Sequence, residues 1–367
     1  MNAPLNAISI QGYKSIRSLE SLPLNNLNIL IGANGAGKSH FLAVFELLRR
    51  LTLFRGVSEL ADAFGPEWFF GGPETTGEIK IRARFGFDGY DLELFESDAR
   101  PSVCEKAFRF TQEGEEVLER VSLSSRNSLL CDGSLDPYFS SRPDSIRRVA
   151  DSIKSLRTYK FHNAETEKES CCRRSLVDLE TLDDRAEHLA SFLYFLRQTR
   201  PDSYQEIVRC LRLASPFFDD FVLEPDERNY IRLDWRHKKF SARAFSPAAL
   251  SAGAFRFACL AAALLQPNLP SILLIDGPEN ELHPTTLGLL AELLQDASRR
   301  AQVIVATQSP ELLDYFRPED VVVAKRRDGA STYERLDRSD LNVWLEDYAL
   351  GELFRKNIVA TAPTYEG

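Results

Sequence analysis

Apolar and polar positions change their period several times along this chain. Residues 7–10 (AISI) and 27–31 (LNILI) are short runs of apolar and β-branched side chains, the composition of strands. The stretch between them, GYKSIRSLESLPL, predicts a short connection and a further edge strand. After Ser39, residues Phe41, Leu42, Phe45, Leu48 and Leu51 fall at the three- and four-residue spacing of one helix face, so an amphipathic helix follows. From 77 to 123 the pattern alternates, with turn residues at Asp88–Gly89 and Glu113–Gly114, and predicts an antiparallel β segment. Residues 124–143, rich in Ser, Asn, Asp and Pro, predict a loop. Helices dominate 144–214, one carrying Ala190, Phe192, Leu193, Phe195 and Leu196, another Ile207, Cys210 and Leu211. FDDFVLEP and YIRLDWR then return to strand.

From 250 onward the reading is regular. A helix covers 253–265, a buried strand 271–276 (SILLID), and a helix 285–299 with Leu287, Leu290, Leu293 and Leu294. Buried strands follow at 302–308 (QVIVATQ) and 320–326 (DVVVAKR). Short apolar strands alternating with helices imply an α/β fold with a parallel sheet.

Between the strand at 27–31 and its helix lies Gly32-Ala33-Asn34-Gly35-Ala36-Gly37-Lys38-Ser39, which fits G-x-x-x-x-G-K-[ST] at every fixed position. Glycines let such a loop curl until its N–H groups point inward at phosphate oxygens. The following helix adds the positive end of its dipole. Lys38 is placed to reach the β- and γ-phosphates of ATP, and the hydroxyl of Ser39 to ligate Mg2+. A strand before and a helix after are the context this chemistry requires.

A second half of the site is visible far downstream. Four apolar residues lead to Asp276, a strand-end carboxylate suited to the same Mg2+. Leu250-Ser251-Ala252-Gly253 resembles the LSGG-type signature of ABC, SMC and RecF-like ATPases. Ser251 is read either as a γ-phosphate contact together with Gly253 or as an ordinary helix N-cap. Gln308 ends the strand at 302–308, where a polar residue can sense a γ-phosphate.

Composition narrows the function. Hydrophobic residues make up 44% and charged residues 27%, an ordinary globular mix. A net charge of -9 argues against nucleic-acid affinity over the whole surface and leaves local basic clusters. These are Arg147–Arg148, Arg173–Arg174, the run Arg236, His237, Lys238, Lys239, and Lys325–Arg326–Arg327. The six cysteines show no pairing framework, and the five histidines no metal-ligand spacing. With neither a signal peptide nor an apolar run long enough to span a bilayer, a cytoplasmic location is expected.

Five stretches together resemble the AAA-type ATPases of the RecF/SMC/OLD group, in a compact subfamily without a toprim domain: IQGYKSI, GANGAGKS, LSAGAFRF, ILLIDGPENELHP and TQSPELLD. The resemblance covers most of the chain. It implies an ABC-type ATPase head, a mixed β-sheet flanked by helices, with an inserted β and helical lobe. Residues 1–71 would carry the phosphate loop, 72–240 the insertion, 241–330 the signature and Asp276, and 331–367 a helical tail. It further implies Mg2+-ATP sandwiched in a homodimer, each signature acting on its partner's nucleotide. DNA or a partner protein would dock on the inserted lobe, with 144–174 as the DNA candidate. The usual setting is DNA repair, chromosome maintenance or anti-phage defence.

Four positions depart from the pattern. The family places Glu directly after the strand-end Asp, where this chain has Gly277. That Glu polarises the attacking water, and losing a general base costs roughly 10²–10⁴-fold. Glu279 and Glu281 are the carboxylates left to replace it, with Gln308 beside them. Ala254 and Phe255 depart mildly from the signature, and His40 stands where Asn is common. The resemblance also puts Tyr13 or Lys14 near the adenine base, with a core position for Tyr13 as the alternative, and leaves His162 between a coupling loop and the surface.

Overall fold

The computed structural model describes residues 4–52, 66–71, 77–95, 102–122, 128–130, 142–161, 168, 174–176 and 180–359. The chain divides into two compact units, Met1–Leu156 with Arg317–Gly367, and Arg157–Phe316.

The first unit opens with β1 (Ala7–Tyr13), β2 (Ile16–Pro23) and β3 (Leu27–Ile31), followed by α1 (Lys38–Leu51). Next come β4 (Glu78–Phe85), β5 (Asp88–Phe95), β6 (Ser102–Thr111), β7 (Gly114–Ser122) and α2 (Asp144–Ser155). Six of these strands form one antiparallel sheet in the order β2-β1-β4-β5-β6-β7, with β2 at the edge. Alternation sorts its faces. Ile8, Ile10, Ile79, Ile81, Leu92 and Leu94 are buried. The other face carries an ion-pair ladder in which Arg82 and Lys106 each bridge Asp91 and Glu115. Glu105 breaks the pattern as a fully buried carboxylate. It accepts hydrogen bonds from Tyr90 Oη, Ser128 Oγ and the Leu129 amide, and so holds residues 128–130 to the sheet. Burial pushes its pKa above the ordinary value.

The second unit begins with β8 (Arg157–Tyr159), β9 (Arg174–Ser175), α3 (Leu189–Thr199), α4 (Pro201–Ala214) and β10 (Phe218–Val222). Then follow β11 (Tyr230–Ile231), β12 (Asp234–His237), β13 (Ala244–Phe245) and α5 (Ala252–Leu265). It closes with β14 (Ile272–Asp276), α6 (Pro284–Ser298), β15 (Gln302–Thr307) and the single turn α7 (Pro310–Leu313). Here β14 lies between β8 and β15, parallel to both. Strands β10, β12 and β13 make a small antiparallel sheet, and β9 pairs with β11. Helix α5 is buried at every position from Ala254 to Leu264, apolar apart from Arg256.

The chain returns to the first unit with β16 (Val321–Arg327), β17 (Ala330–Arg335), α8 (Arg338–Leu345) and α9 (Leu350–Arg355). Strand β16 runs parallel to β3 and antiparallel to β17. Residues 331–335, expected at the start of a helical tail, are therefore a strand; Ser331 and Tyr333 are buried on one face of β17 while Thr332 and Glu334 are exposed. Most of the loop expected over 124–143 lies outside the described residues, as do His162, Arg173, Cys131, Cys171 and Cys172. Among the described residues Cys104, Cys210 and Cys259 are free thiols, and no helix is long and apolar enough to cross a membrane.

Candidate functional site

Within the first unit, the phosphate loop links β3 to α1. Ile29, Leu30 and Ile31 are wholly buried, which fixes where the loop begins. Gly37 caps α1 with φ 102, a left-handed conformation that side chains rarely adopt. A Cβ there would also lie 2.2 Å from Ser331 Oγ. Lys38 Nζ donates to the carbonyls of Gly32 (2.7 Å) and Ala33 (3.0 Å), so its charge is curled into the loop. Ser39 is exposed on the first turn of α1.

Strand β17 supports this loop. Tyr333 Oη donates to Gly37 O at 2.8 Å, and the Tyr333 ring packs on Phe41 of α1 at 5.1 Å. Ser331 donates through its amide to Ser15 O (2.6 Å) and through its hydroxyl to Ser15 Oγ (2.7 Å). Ser15 Oγ in turn meets His40 Nδ1 at 2.8 Å. The His40 pKa is lowered, first by burial and then by repulsion from Lys14 and Arg326. Arg326 also reaches Gly35 O at 3.3 Å. Lys38 and Arg326 thus bring two cations onto the loop, electrostatics that suit a polyphosphate. Ser331 and Tyr333 were missed in the sequence because a strand signal says nothing about a partner some 300 residues away in chain order. Tyr13 is core: it is 0% exposed and stacks edge-on against Trp68.

In the second unit, Asp276 ends β14 beside Ala306 of β15, so Asp276 and Gln308 leave the sheet at the same end. Gly277 follows with φ 60, its amide donating to Ala306 O at 2.8 Å. The turn closes where the Asn280 amide donates to Gly277 O. Glu279 Oε1 accepts a hydrogen bond from the Gln308 amide at 2.9 Å. Glu279 Oε2 is buried and has no hydrogen-bond partner among the described residues. Glu281 goes elsewhere. Its carboxylate lies 3.4 Å from Arg256 on α5, whose guanidinium is almost wholly buried. Ser251 is the N-cap of α5, accepting from the Ala254 amide at 3.2 Å. Gly253 packs so closely on this turn that a Cβ would lie 2.3 Å from Glu281 O. Signature helix and strand-end turn are therefore in contact through Gly253 and Arg256.

A family model described as "AAA domain, putative AbiEii toxin, Type IV TA system" matches residues 27–314, well over half of the chain. The chain belongs to this family. None of the curated proteins matches the AAA-domain protein. Among solved structures it is similar to an SMC head bound to the C-terminal winged-helix domain of ScpA, at 14% identity and a TM-score of 0.55 over 93% of this chain and 99% of that one. It is also similar to the Smc head from Pyrococcus furiosus bound to the C-terminal domain of ScpA, at 13% identity and a TM-score of 0.52 over 94% and 99%. The fold is that of an SMC-type P-loop ATPase head, α/β with helices flanking mixed sheet. The AAA-domain protein is an ATP-binding ATPase by family and fold.

The residues present fit Mg2+-ATP. In the first unit the loop geometry and its cations suit phosphates and Ser39 would offer Mg2+ a hard oxygen; in the second unit Asp276 carries a carboxylate of the kind that ion favours. Such a cation would neutralise charge on the phosphates.

Proposed function

We propose that this chain is an ATP-driven dimerisation switch in which Glu279 takes over from the missing carboxylate at Gly277. The supporting observation is the state of the Glu279 side chain. One oxygen is fixed by the Gln308 amide; the other is buried with its acceptor capacity unused. A buried acceptor without a partner is costly, and an attacking water is a group that would satisfy it. Lys38 and the loop amides at 32–37 hold phosphates, with His40 steadying the loop through Ser15. Ser39 and Asp276 serve as metal ligands. Glu279 takes the proton of the water and Gln308 reports the γ-phosphate. Ser251 and Gly253 act across the dimer on the partner's nucleotide, and Glu281 holds Arg256. Residues 72–240 are read as the insertion that meets DNA or a partner protein, in repair, chromosome maintenance or defence. An SMC head bound to a winged-helix domain offers a parallel for such docking.

Gly277 supports a second reading, an ATP-bound scaffold that hydrolyses little and signals by docking. Steady-state phosphate release separates the two, run with the native chain, Lys38→Ala and Glu279→Gln, beside light scattering with and without ATP. Turnover lost in both variants, with ATP-dependent dimers in the native chain, supports the switch. ATP-dependent dimers without turnover favour the scaffold. The absence of ATP binding, or of any effect of Lys38→Ala, removes both.

A further inference from the structure

The small sheet β10-β12-β13 ends in a hairpin whose chemistry the ATPase does not use. From Trp235 outward, a column of rings rises from the core to the surface. Trp235 is 3% exposed, and its indole N–H donates to Ser246 O at 3.1 Å. Phe245 packs on it at 5.3 Å. His237 stacks with Phe217 at 5.8 Å and meets Phe240 at 5.0 Å. Phe240 is 58% exposed at the hairpin tip and Phe217 is 37% exposed. Large apolar rings held open to solvent on a rigid base need an explanation.

The same hairpin carries Arg236, Lys238, Lys239 and Arg243, all exposed. Among the described residues, none of the four has a carboxylate partner. Two cations of another basic cluster are already paired. Arg148, within the expected DNA region at 144–174, is spent on Asp88, and Arg147 on Asp144. The carboxylates of the small sheet itself are engaged. Asp219 pairs with Arg212, Asp220 accepts from Tyr204 Oη and the Phe221 amide, and Asp234 pairs with Arg232 through one oxygen while its other oxygen is buried. The acidic stretch 224–227 lies beyond the other end of the sheet, past the Val222–Asp234 pair. The tip is therefore a positive strip around open aromatic faces, with the Arg243 guanidinium itself 5.3 Å above Phe245.

We propose that the 235–245 hairpin is a platform for single-stranded nucleic acid, bases stacking on Phe240 and the Phe217–His237 pair while Arg236, Lys238, Lys239 and Arg243 meet the phosphates. Cations alone would suit any polyanion. Open ring faces select one whose own flat faces are free, and a duplex hides them. A twofold contact between two copies would bring like strips together, and the repulsion opposes it. The hairpin also leads within six residues from Phe245 to Ser251, through a 3-10 turn at Pro247–Ala249 and Leu250, whose carbonyl accepts from the buried Lys168 at 2.6 Å. Strand binding and signature position are thus joined by a short, packed segment.

The test is fluorescence anisotropy with labelled oligothymidylate, oligouridylate and a mixed-sequence duplex over a range of NaCl. Native protein is compared with Phe240→Ala and with Lys238→Glu/Lys239→Glu. Both changes lie at exposed positions, and circular dichroism melts and ATP binding checked in parallel show that fold and nucleotide site are intact. Single strands are expected to bind more tightly than duplex. Phe240→Ala weakens them about 5- to 100-fold with the salt slope kept. The double variant lowers the slope of log affinity against log salt by roughly 1.4, the share of two phosphates. No binding of single strands, or binding indifferent to both variants, overturns the proposal. So does a change of oligomeric state in the variants without a change in oligonucleotide affinity, which would make the tip a surface between copies. Intact ATP binding with failed strand binding sinks this inference alone and leaves the ATP switch standing.

Discussion

The carboxylate of Glu279 is held by the backbone amide of Gln308, across the gap between the ends of two parallel strands. A backbone donor fixes the carboxylate whatever side chain follows at 308. Glu279→Gln keeps an acceptor for that amide and removes the base. It is expected to lower kcat by about 10²–10⁴-fold with KM little changed, as general-base loss does. Phosphate release at saturating ATP measures this; a change below threefold (on the order of 0.6 kcal/mol,) would assign the proton transfer elsewhere.

Glu281→Gln should separate cleanly from it. Arg256 is 2% exposed and Glu281 43%, so the variant leaves a buried guanidinium with a neutral partner. Discounted for the exposure of Glu281, the loss is about 1–3 kcal/mol of stability. Urea unfolding reads it as a lower midpoint. Turnover of the folded fraction should stay near the native value.

Restoring the family's carboxylate directly is expected to fail. Gly277 has φ 60, and a Cβ there would lie 2.6 Å from Asn280 Nδ2. A left-handed non-glycine residue costs about 1–2 kcal/mol before the contact is counted. Gly277→Glu should melt at a lower temperature and gain no turnover. Adding Asn280→Gly relieves the contact and recovers part of the stability, the φ strain remaining. A melting temperature equal to the native one would show that the turn reshapes at little cost.

Glu105 sets a pH dependence. Its folded pKa is raised by burial, so between the ordinary carboxylate value and the folded value the folded state binds more protons than the unfolded chain. Its contribution to stability is therefore full in acid and falls as pH rises through that window. Glu105→Gln removes this dependence. The difference in melting temperature, native minus variant, should decline from pH 4 to pH 8, these limits being roughly the range over which such a group titrates. A flat difference would show that the three hydrogen bonds to Glu105 compensate burial fully.

Much of this was legible in the residues. The phosphate loop follows from its fixed positions and the strand ending at Asp276 from its apolar run; the strand read over 302–308 stops one residue earlier, at Thr307, so Gln308 lies just past it. The N-cap role of Ser251 was one of two readings left open, and the structure shows it through the Ala254 amide. What stayed hidden depends on contacts between distant positions. Glu279 and Glu281 look equivalent in sequence, two residues apart in one turn. Only the fold gives one the Gln308 amide and the other Arg256. The aromatic column at 217–245 joins β10, β12 and β13, and a basic run alone could not reveal it.

The bond from Tyr333 to Gly37 spans 296 residues of sequence. At a synthesis rate of roughly 5–20 residues per second, the ribosome would complete that distance in about 15–60 seconds. Throughout that interval the emerging chain carries its glycine-rich loop without the strand that braces it. Premature termination between α1 and β17 would leave a polypeptide with the phosphate loop present and unbraced. The motif is translated well before its brace.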